Sequence, residues 1–220
     1  MEELAVSAVN TLSNSELTSS AFIAGTEKVT LPELAIKEHN KLKEKQRCIR
    51  GMYTGGTLAI EACLLMLQSI DNVFSNVYLN GCLPLENPQV SQGHTVIDLG
   101  ADEFTVGKPH PMLEPEMRHD RILQEAADPD TAVILLDFVL GYGVHSDPVG
   151  AILPVLSKAK RIAEKENRYI SLVASVCGTD QDPQNRSEQI RKLKEIGAVV
   201  MPTNAQAVKL AKAIVLCSKA

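Results

Sequence analysis

The chain contains 220 residues, of which 45% are hydrophobic and 22% are charged, and its formal net charge is -5. These values are typical of one globular core with an extension. No apolar run is long enough to cross a bilayer, and the 22 basic residues are scattered rather than gathered with aromatic residues, so neither a membrane nor a nucleic acid is expected as a partner.

The cysteines and the amino terminus indicate the compartment and the absence of a metal centre. The five cysteines, at positions 48, 63, 82, 177 and 217, are odd in number and widely spaced, so we predict neither a disulfide framework nor a zinc site. Most lie in apolar surroundings and are expected to be core thiols. The first residues show no signal-peptide pattern, and we therefore expect a cytoplasmic protein.

Residues 1–47 differ from the rest of the chain because they carry no strand pattern. Ser, Thr and Asn cluster here, and the segment ends in a charged stretch at residues 37–47. Too few apolar residues recur to close a core, although the pattern favours helices. We predict a helical linker or docking arm that lies outside the main core.

From Cys48 to the end, short apolar runs alternate with glycine-containing turns and amphipathic helices, which is typical of βαβ units. This region, residues 48–220, is predicted to be one α/β domain with a doubly wound, mostly parallel, flavodoxin-like sheet. The five predicted strands lie at residues 49–53, 95–99, 132–138, 170–176 and 198–201. The predicted helices lie at residues 57–68, 115–127, 148–166, 187–196 and 204–217.

The loop after the first strand is the clearest candidate site. Thr54, Gly55, Gly56 and Thr57 follow a strand and open a helix. The two glycines let backbone N–H groups approach an anion, the helix start favours negative charge, and Thr57 offers a hydroxyl donor. The turn is therefore predicted to hold a phosphate or similar anion, and the competing interpretation is an ordinary tight turn.

The loop after the third strand combines flexible glycines with a helix start. It contains Gly141, Tyr142 and Gly143, followed by His145 and by a capping pattern at Asp147. We expect the glycine segment to belong to a substrate loop. His145 could donate to a bound anion or move a proton near neutral pH, and the competing interpretation is a surface imidazole.

The loop after the fourth strand is dense in hydrogen-bonding groups. Gly178 and Thr179 are candidate substrate-loop residues, and Asp180 is a candidate catalytic carboxylate, although Asp180 and Asp182 could equally be turn and cap residues. Cys177 could act as a nucleophile only if it were exposed and activated.

The loop after the second strand, residues 99–111, is long enough to fold over the site. It holds His110, a histidine between two prolines, and Lys108, the only basic side chain in the sequences of these four loops. We predict that an anion held at the glycine pair recruits Lys108, whereas the competing interpretation is a solvated loop lysine.

These loops occur in an order that resembles the CoA-ligase half of the succinyl-CoA synthetase α-subunit. Residues 54–61 resemble that family's S-G-T-L-T-Y-E turn, whose helix points at the transferred phosphate, and residues 141–143 are similar to its I-G-E-I-G-G segment. Residues 93–107, 140–143 and 173–179 are more closely similar to the FdrA group of predicted acyl-CoA synthetases. The resemblance covers residues 48 to the end.

The resemblance implies an acyl-CoA synthetase-like chain with two departures from the family. The loop that carries the family's phosphorylated histidine corresponds to residues 178–185, which contain no histidine, and Leu140 replaces the supporting glutamate. An acyl or carbamoyl phosphate would then be bound without phosphorylation of the chain. CoA and a nucleotide would be held by partner domains, because the family's CoA-binding domain is not found here.

The resemblance leaves three functions open. The first is formation of a thioester or acyl phosphate, the second is an oxamate carbamoyltransferase that uses carbamoyl phosphate, and the third is a non-catalytic scaffold or regulatory subunit. The expected partners are a small anionic substrate and either a separate CoA-binding subunit or further copies of the chain.

Overall fold

The computed structural model describes residues 30–217, which form a seven-stranded parallel sheet with helices on both faces. The strands are β1 (Cys48–Tyr53), β2 (Val73–Ser75), β3 (Leu83–Pro84), β4 (His94–Asp98), β5 (Thr131–Val139), β6 (Ser171–Cys177) and β7 (Val199–Met201). The helices are α1 (Leu31–His39), α2 (Gly56–Met66), α3 (Asp102–Thr105), α4 (His119–Ala127), α5 (Pro148–Lys165), α6 (Arg186–Glu195) and α7 (Asn204–Leu216), and a 3-10 turn at Pro115–Arg118 precedes α4.

The strand order is β3-β2-β4-β1-β5-β6-β7, and every pair is parallel. The predicted α/β class is confirmed, and the five predicted strands lie in the flavodoxin-like order. The strand count was wrong, because β2 and β3 extend one edge of the sheet. These strands have three and two residues, which is too short to produce a periodic hydrophobic pattern.

The two faces of the sheet bury separate hydrophobic clusters. Alternate residues of β5 point to opposite faces, so that Val133 and Leu135 join the cluster under α1, α2 and α7, while Ile134 and Leu136 join the cluster under α4, α5 and α6. β5 is central and buried almost throughout, as expected for a strand covered on both faces. In the described part of the chain, none of the helices combines the length and apolarity needed to span a membrane.

The predicted amino-terminal arm is partly a core element. Helix α1 begins with a capping box in which Thr30 and Glu33 satisfy each other's backbone groups, and it packs on α7. Ala35 and Leu42 are buried in the cluster beneath α2 and α7. The expectation that this segment lies outside the core is therefore wrong for residues 30–47, and the remainder of the predicted arm, residues 1–29, lies outside the described residues.

A buried carboxylate fastens α1 to the sheet. Glu38 is 3% exposed and accepts hydrogen bonds from Lys41 Nζ (2.6 Å), Tyr169 Oη (2.7 Å) and Ser171 Oγ (2.8 Å). Burial alone would raise the pKa of Glu38, but these three donors outweigh it and hold the pKa below its ordinary value of 4.5. The ionised form is thus favoured in the folded protein.

Replacing Glu38 with glutamine is expected to lower the free energy of unfolding by roughly 1–3 kcal/mol at neutral pH, because the buried donors lose a charged acceptor. A depressed folded pKa gives a contribution that is complete above the unfolded value and is lost as the pH falls through the folded value. The difference between wild type and Glu38→Gln, measured by urea unfolding, should therefore shrink at acid pH. Glu44→Gln, an exposed carboxylate nearby, serves as the control and should change little.

Candidate functional site

The candidate site lies where β1 and β5 run side by side and their following helices leave for opposite faces of the sheet. Helix α2 follows β1 and covers one face, whereas α5 follows β5 and covers the other. This divergence opens a crevice outside the carboxyl ends of the two strands, the usual ligand position in such sheets. The four loops singled out in the sequence all start at this edge.

Residues 54–57, which we call the anion turn, connect β1 to α2. Gly55 is the N-cap in an extended conformation, with φ -171° and ψ 155°, and no side chain caps the helix. In contrast, side chains of Asp147, Asn185 and Thr203 cap α5, α6 and α7. The first-turn N–H groups of a helix cannot bond within it. Those of α2 lack the side-chain acceptor that α5, α6 and α7 have.

A buried carboxylate from the neighbouring strand fixes the start of the anion turn. Asp137 in β5 accepts hydrogen bonds from the Thr54 backbone N (2.8 Å) and from Thr54 Oγ1 (2.6 Å). Both residues are at most 2% exposed. The Thr54 hydroxyl donates to Asp137 and is therefore not available to a phosphate. The predicted phosphate-binding role of Thr54 is limited to fixing the backbone of the turn.

A buried arginine lies behind this carboxylate. Arg118 is 1% exposed, its NH1 donates to the Asp137 carbonyl (2.9 Å) and lies 3.7 Å from Asp137 Oδ1, and its guanidinium stacks 4.8 Å from the Phe138 ring centre. Burial raises the pKa of Asp137, and the Arg118 charge and the Thr54 donors oppose that rise. Burial likewise lowers the pKa of Arg118. The buried ion pair thus supports the start of the anion turn from inside the protein.

The last residue of β4, Asp98, and the loop that follows it, through His110, bring two further titratable side chains close to the anion turn. A Cβ atom placed on Gly100 would lie 2.5 Å from His110 Nε2, 2.7 Å from the Thr54 carbonyl and 3.1 Å from Asp98 Oδ1, and one on Gly56 would lie 3.2 Å from Asp98 Oδ2. Burial raises the pKa of Asp98, partly offset by the Gly100 N–H and by His110. Gly100 is therefore required by the close approach of these groups.

The loops after β4, β5 and β6 are joined to one another across the crevice. The Met112 carbonyl accepts from the His145 backbone N (2.9 Å), and a Cβ on Gly55 would meet Met112 Cε at 3.4 Å. Gln184 exchanges two hydrogen bonds with the Gly141 backbone and also donates to the His145 carbonyl (3.1 Å). The β4 loop thus approaches the anion turn at Met112, and its role as a cover over the site stays a prediction.

The structure places the predicted catalytic residues at the margin of this crevice. His145 is half-buried, and its Nδ1 accepts from the Asp147 backbone N (3.0 Å). Asp180 is exposed and accepts from the Ser187 backbone N (2.7 Å) at the start of α6. This bond lowers the pKa of Asp180, so the carboxylate has the capping role that was the competing interpretation, and its catalytic role stays a prediction.

The predicted substrate-loop residues have different environments. Gly141 and Gly143 have positive φ, and nothing lies within 4 Å of a Cβ placed on either, while Tyr142 between them is 89% exposed. Thr179 is engaged with Asp182 within its own turn. A Cβ on Gly178 would lie only 2.7 Å from the Leu140 Cβ, so these two residues are in close contact. The Lys108 side chain is exposed.

The prediction that the cysteines are core thiols is correct for Cys63 and wrong for Cys177. Cys63 is buried beneath α2, whereas Cys177 is exposed at the end of β6, and the remaining three are half-buried. A strand can end in an apolar run and still expose its last residue at the sheet edge. Across residues 30–217, His, Cys, Asp and Glu side chains do not gather into a group of three that could hold a metal ion.

Sequence reasoning missed Asp137, Arg118 and Asp98 as site residues and left His110 without a role. A signal was present for Asp137, because it is the one charged residue in the apolar run 132–138, and a charge is buried only with partners. No local sequence pattern connects Arg118 to that run, because only the folded structure brings the two together.

Replacing Asp137 with asparagine is expected to lower the free energy of unfolding by about 3–5 kcal/mol, because it leaves the Arg118 cation buried without a counter-charge. The double variant Arg118→Met/Asp137→Asn should lose less than the sum of the two single changes, since the partners interact directly. Urea unfolding of all four proteins measures this coupling. Additive losses would show that the pair does not act as a unit.

Comparison with known proteins identifies the family. The CoA-ligase family model matches residues 52–214. The uncharacterized protein YahF of Escherichia coli K12 is 38% identical over 172 residues, which cover 78% of this chain and 33% of YahF, so the chain spans about a third of that relative. The solved structure of PH0766 from Pyrococcus horikoshii OT3 is similar over 97% of this chain and 43% of its own, but its TM-score of 0.44 and identity of 10% support no argument. On the family match, the chain belongs to the CoA-ligase family.

Proposed function

We propose that the chain is the CoA-ligase part of an FdrA-type acyl-CoA synthetase-like enzyme and that it holds the phosphate group of an acyl phosphate at the anion turn. The observation that carries this proposal is the uncapped start of α2 at the switch point of the sheet. Membership of the CoA-ligase family supports it, because a CoA ligase joins an acid to the thiol of CoA.

The anion turn is suited to a phosphate without a lysine. A helix N-terminus presents several unpaired N–H donors and about half a positive charge. Gly55 and Gly56 leave room for the anion to approach this backbone, and Thr57 is exposed beside them. Preorganised donors of this kind stabilise the negative charge that develops on a transferred phosphoryl or acyl group. Removing a single donor costs about 3–4 kcal/mol of this stabilisation.

The chemistry would proceed without a phosphorylated histidine from the β6 loop. Residues 178–185 contain no histidine, and Thr179, Asp180 and Asp182 are used within the turn and as a helix cap. Leu140, at the position of the family's supporting glutamate, packs against Gly178. The carrier and its orienting carboxylate are thus replaced together by an apolar contact.

This replacement also favours a second function, transfer of a carbamoyl group between carbamoyl phosphate and an acid such as oxamate. Such a transfer needs a seat for the phosphate and no phosphorylated side chain, which matches the β6 loop. Both functions place an oxyanion at the same turn. CoA, a nucleotide or the second substrate would be bound by a partner subunit or by further domains, since the chain spans a third of YahF.

Inorganic phosphate should shift the backbone amide signals of Gly55 and Gly56 in the full chain and slow their hydrogen exchange. Gly56→Pro should weaken phosphate binding about tenfold or more, because it removes one charge-assisted donor, and such a bond contributes about 1.5–3 kcal/mol. Proline suits the first position of a helix, and Gly55 already has the extended conformation that precedes proline.

The control for this variant is its own stability without ligand. Thermal unfolding of Gly56→Pro in the absence of phosphate should stay close to wild type, because proline suits the helix start and the Asp98 carboxylate, 3.2 Å from the added Cβ, has to move by only a few tenths of an ångström. If phosphate leaves the Gly55 and Gly56 amides unchanged in the wild type, the anion seat is refuted.

An activity assay separates the enzymatic functions from a scaffold. The chain, copurified with its partner, should be offered ATP with CoA and succinate in one reaction and carbamoyl phosphate with oxamate in another. Release or incorporation of phosphate in the first supports the ligase, and in the second the carbamoyltransferase. A complex that is inactive in both, with intact phosphate binding, would indicate the regulatory role.

A further inference from the structure

Of the five histidines, all of which lie within the described residues, His110 is the one whose ring lies against Gly100, next to the Thr54 carbonyl at the start of the anion turn. Its Nε2 lies 2.5 Å from the Cβ position of Gly100, which is itself 2.7 Å from the Thr54 carbonyl. The other four are engaged elsewhere: His39 with Ile214, His94 with Ile49, His119 with Ala151 and His145 with Asp147.

The hydrogen bonding of the ring determines what His110 offers to a ligand. The Met112 backbone N donates to His110 Nδ1 at 3.2 Å, so Nδ1 is an acceptor and the proton of the neutral ring is on Nε2. Within residues 30–217, Nε2 has no hydrogen-bond partner of its own, although the ring is half-buried. The Nε2–H group of His110 is therefore a donor near the start of the anion turn that makes no hydrogen bond within residues 30–217.

Asp98 gives an independent reason to expect a proton donor at this point. Its carboxylate lies against Gly56 at the start of α2, with Oδ2 3.2 Å from the Cβ position, and Glu103 adds a second negative charge nearby. An anion bound at the turn would be repelled by this carboxylate. His110 is close enough to Asp98 to lower the pKa of that carboxyl group, and a donor at this point would offset the repulsion.

We propose that His110 binds the anion held at the anion turn by donating a hydrogen bond from Nε2, and that it is not itself phosphorylated. The inference rests on the proposed function and assigns to the same site a side chain from the β4 loop. The ligand class is a tetrahedral oxyanion, either free phosphate or the phosphate group of an acyl or carbamoyl phosphate. Nucleophilic attack would need the Nε2 lone pair, which the Met112 bond disfavours.

Gly100 is the structural condition for this arrangement. Any side chain at residue 100 would overlap His110 Nε2 and the Thr54 carbonyl, both within 2.7 Å of its Cβ. Pro109 and Pro111 flank the histidine and restrict the backbone that presents the ring. The loop thus holds the imidazole in place before a ligand arrives.

The test is a titration of the full chain with inorganic phosphate, followed by the ring nitrogen signals of His110 and the backbone amides of Gly55 and Gly56. Phosphate should shift both sets of signals together. His110→Leu should weaken phosphate binding about tenfold, because a charge-assisted donor is lost, and His110→Gln should recover part of the affinity. His39→Gln, which makes the same change at the opposite edge of the sheet, should bind as wild type does.

The outcomes separate this inference from the proposed function. If phosphate shifts the turn amides but leaves the His110 ring signals unchanged, and His110→Leu binds as tightly as wild type, the His110 role is overturned while the anion seat stands. If neither set of signals responds, both are overturned. Acid-labile phosphate found on His110 after incubation with acetyl phosphate would overturn the donor role in favour of a carrier.

Discussion

The geometry of the site depends on one interaction, the pair of hydrogen bonds that the Asp137 carboxylate accepts from Thr54. This carboxylate belongs to β5, and the residue that it holds begins the turn after β1, so the bond joins the two strands whose helices diverge. The turn is thereby fixed at its first residue, and the two glycines that follow remain open. The cost of burying the carboxylate is offset by Arg118, which is buried with it.

The charged groups of the site fall into two pairs, one buried pair that supports the turn and one half-buried pair that a ligand could contact. Arg118 and Asp137 lie below the turn, are excluded from water and neutralise each other, so they set position without imposing a net charge on the crevice. Asp98 and His110 lie at the upper edge and are only half-buried, where a ligand can change their hydrogen bonding. Groups with the same chemistry therefore have different roles because of their burial.

Much of the fold could be predicted from the sequence, because five strands are apolar runs between glycine turns and their order follows from right-handed crossovers. Strands β2 and β3 could not, since runs of three and two residues carry no period. The packing of α1 on α7 was also out of reach, because Ala35 and Ile214 are far apart in the chain and α1 is short. The sequence pattern of a short helix does not show which distant helix packs against it.

The position of the loops could be predicted from the sequence, whereas the approach of Asp98 and His110 to the anion turn could not, and the catalytic roles predicted for His145 and Asp180 stay predictions. The anion turn, the β5 loop and the β6 loop do meet at one edge, as parallel strands require. His145 and Asp180 were chosen because they lie in those loops, but their hydrogen bonds lead to Asp147 and Ser187. Asp98 and His110 are twelve residues apart, and only the return of the β4 loop over Gly100 brings them together.

The β6 loop holds the loops around the crevice together. Gln184 links it to the β5 loop, Asp182 closes its turn on Thr179, and Leu140 fills the space against Gly178. The side chains of this segment are thus committed to holding the neighbouring loops together. A reactive side chain introduced at residues 178–185 would have to displace these contacts, so a new chemical role for the loop would need several coordinated changes.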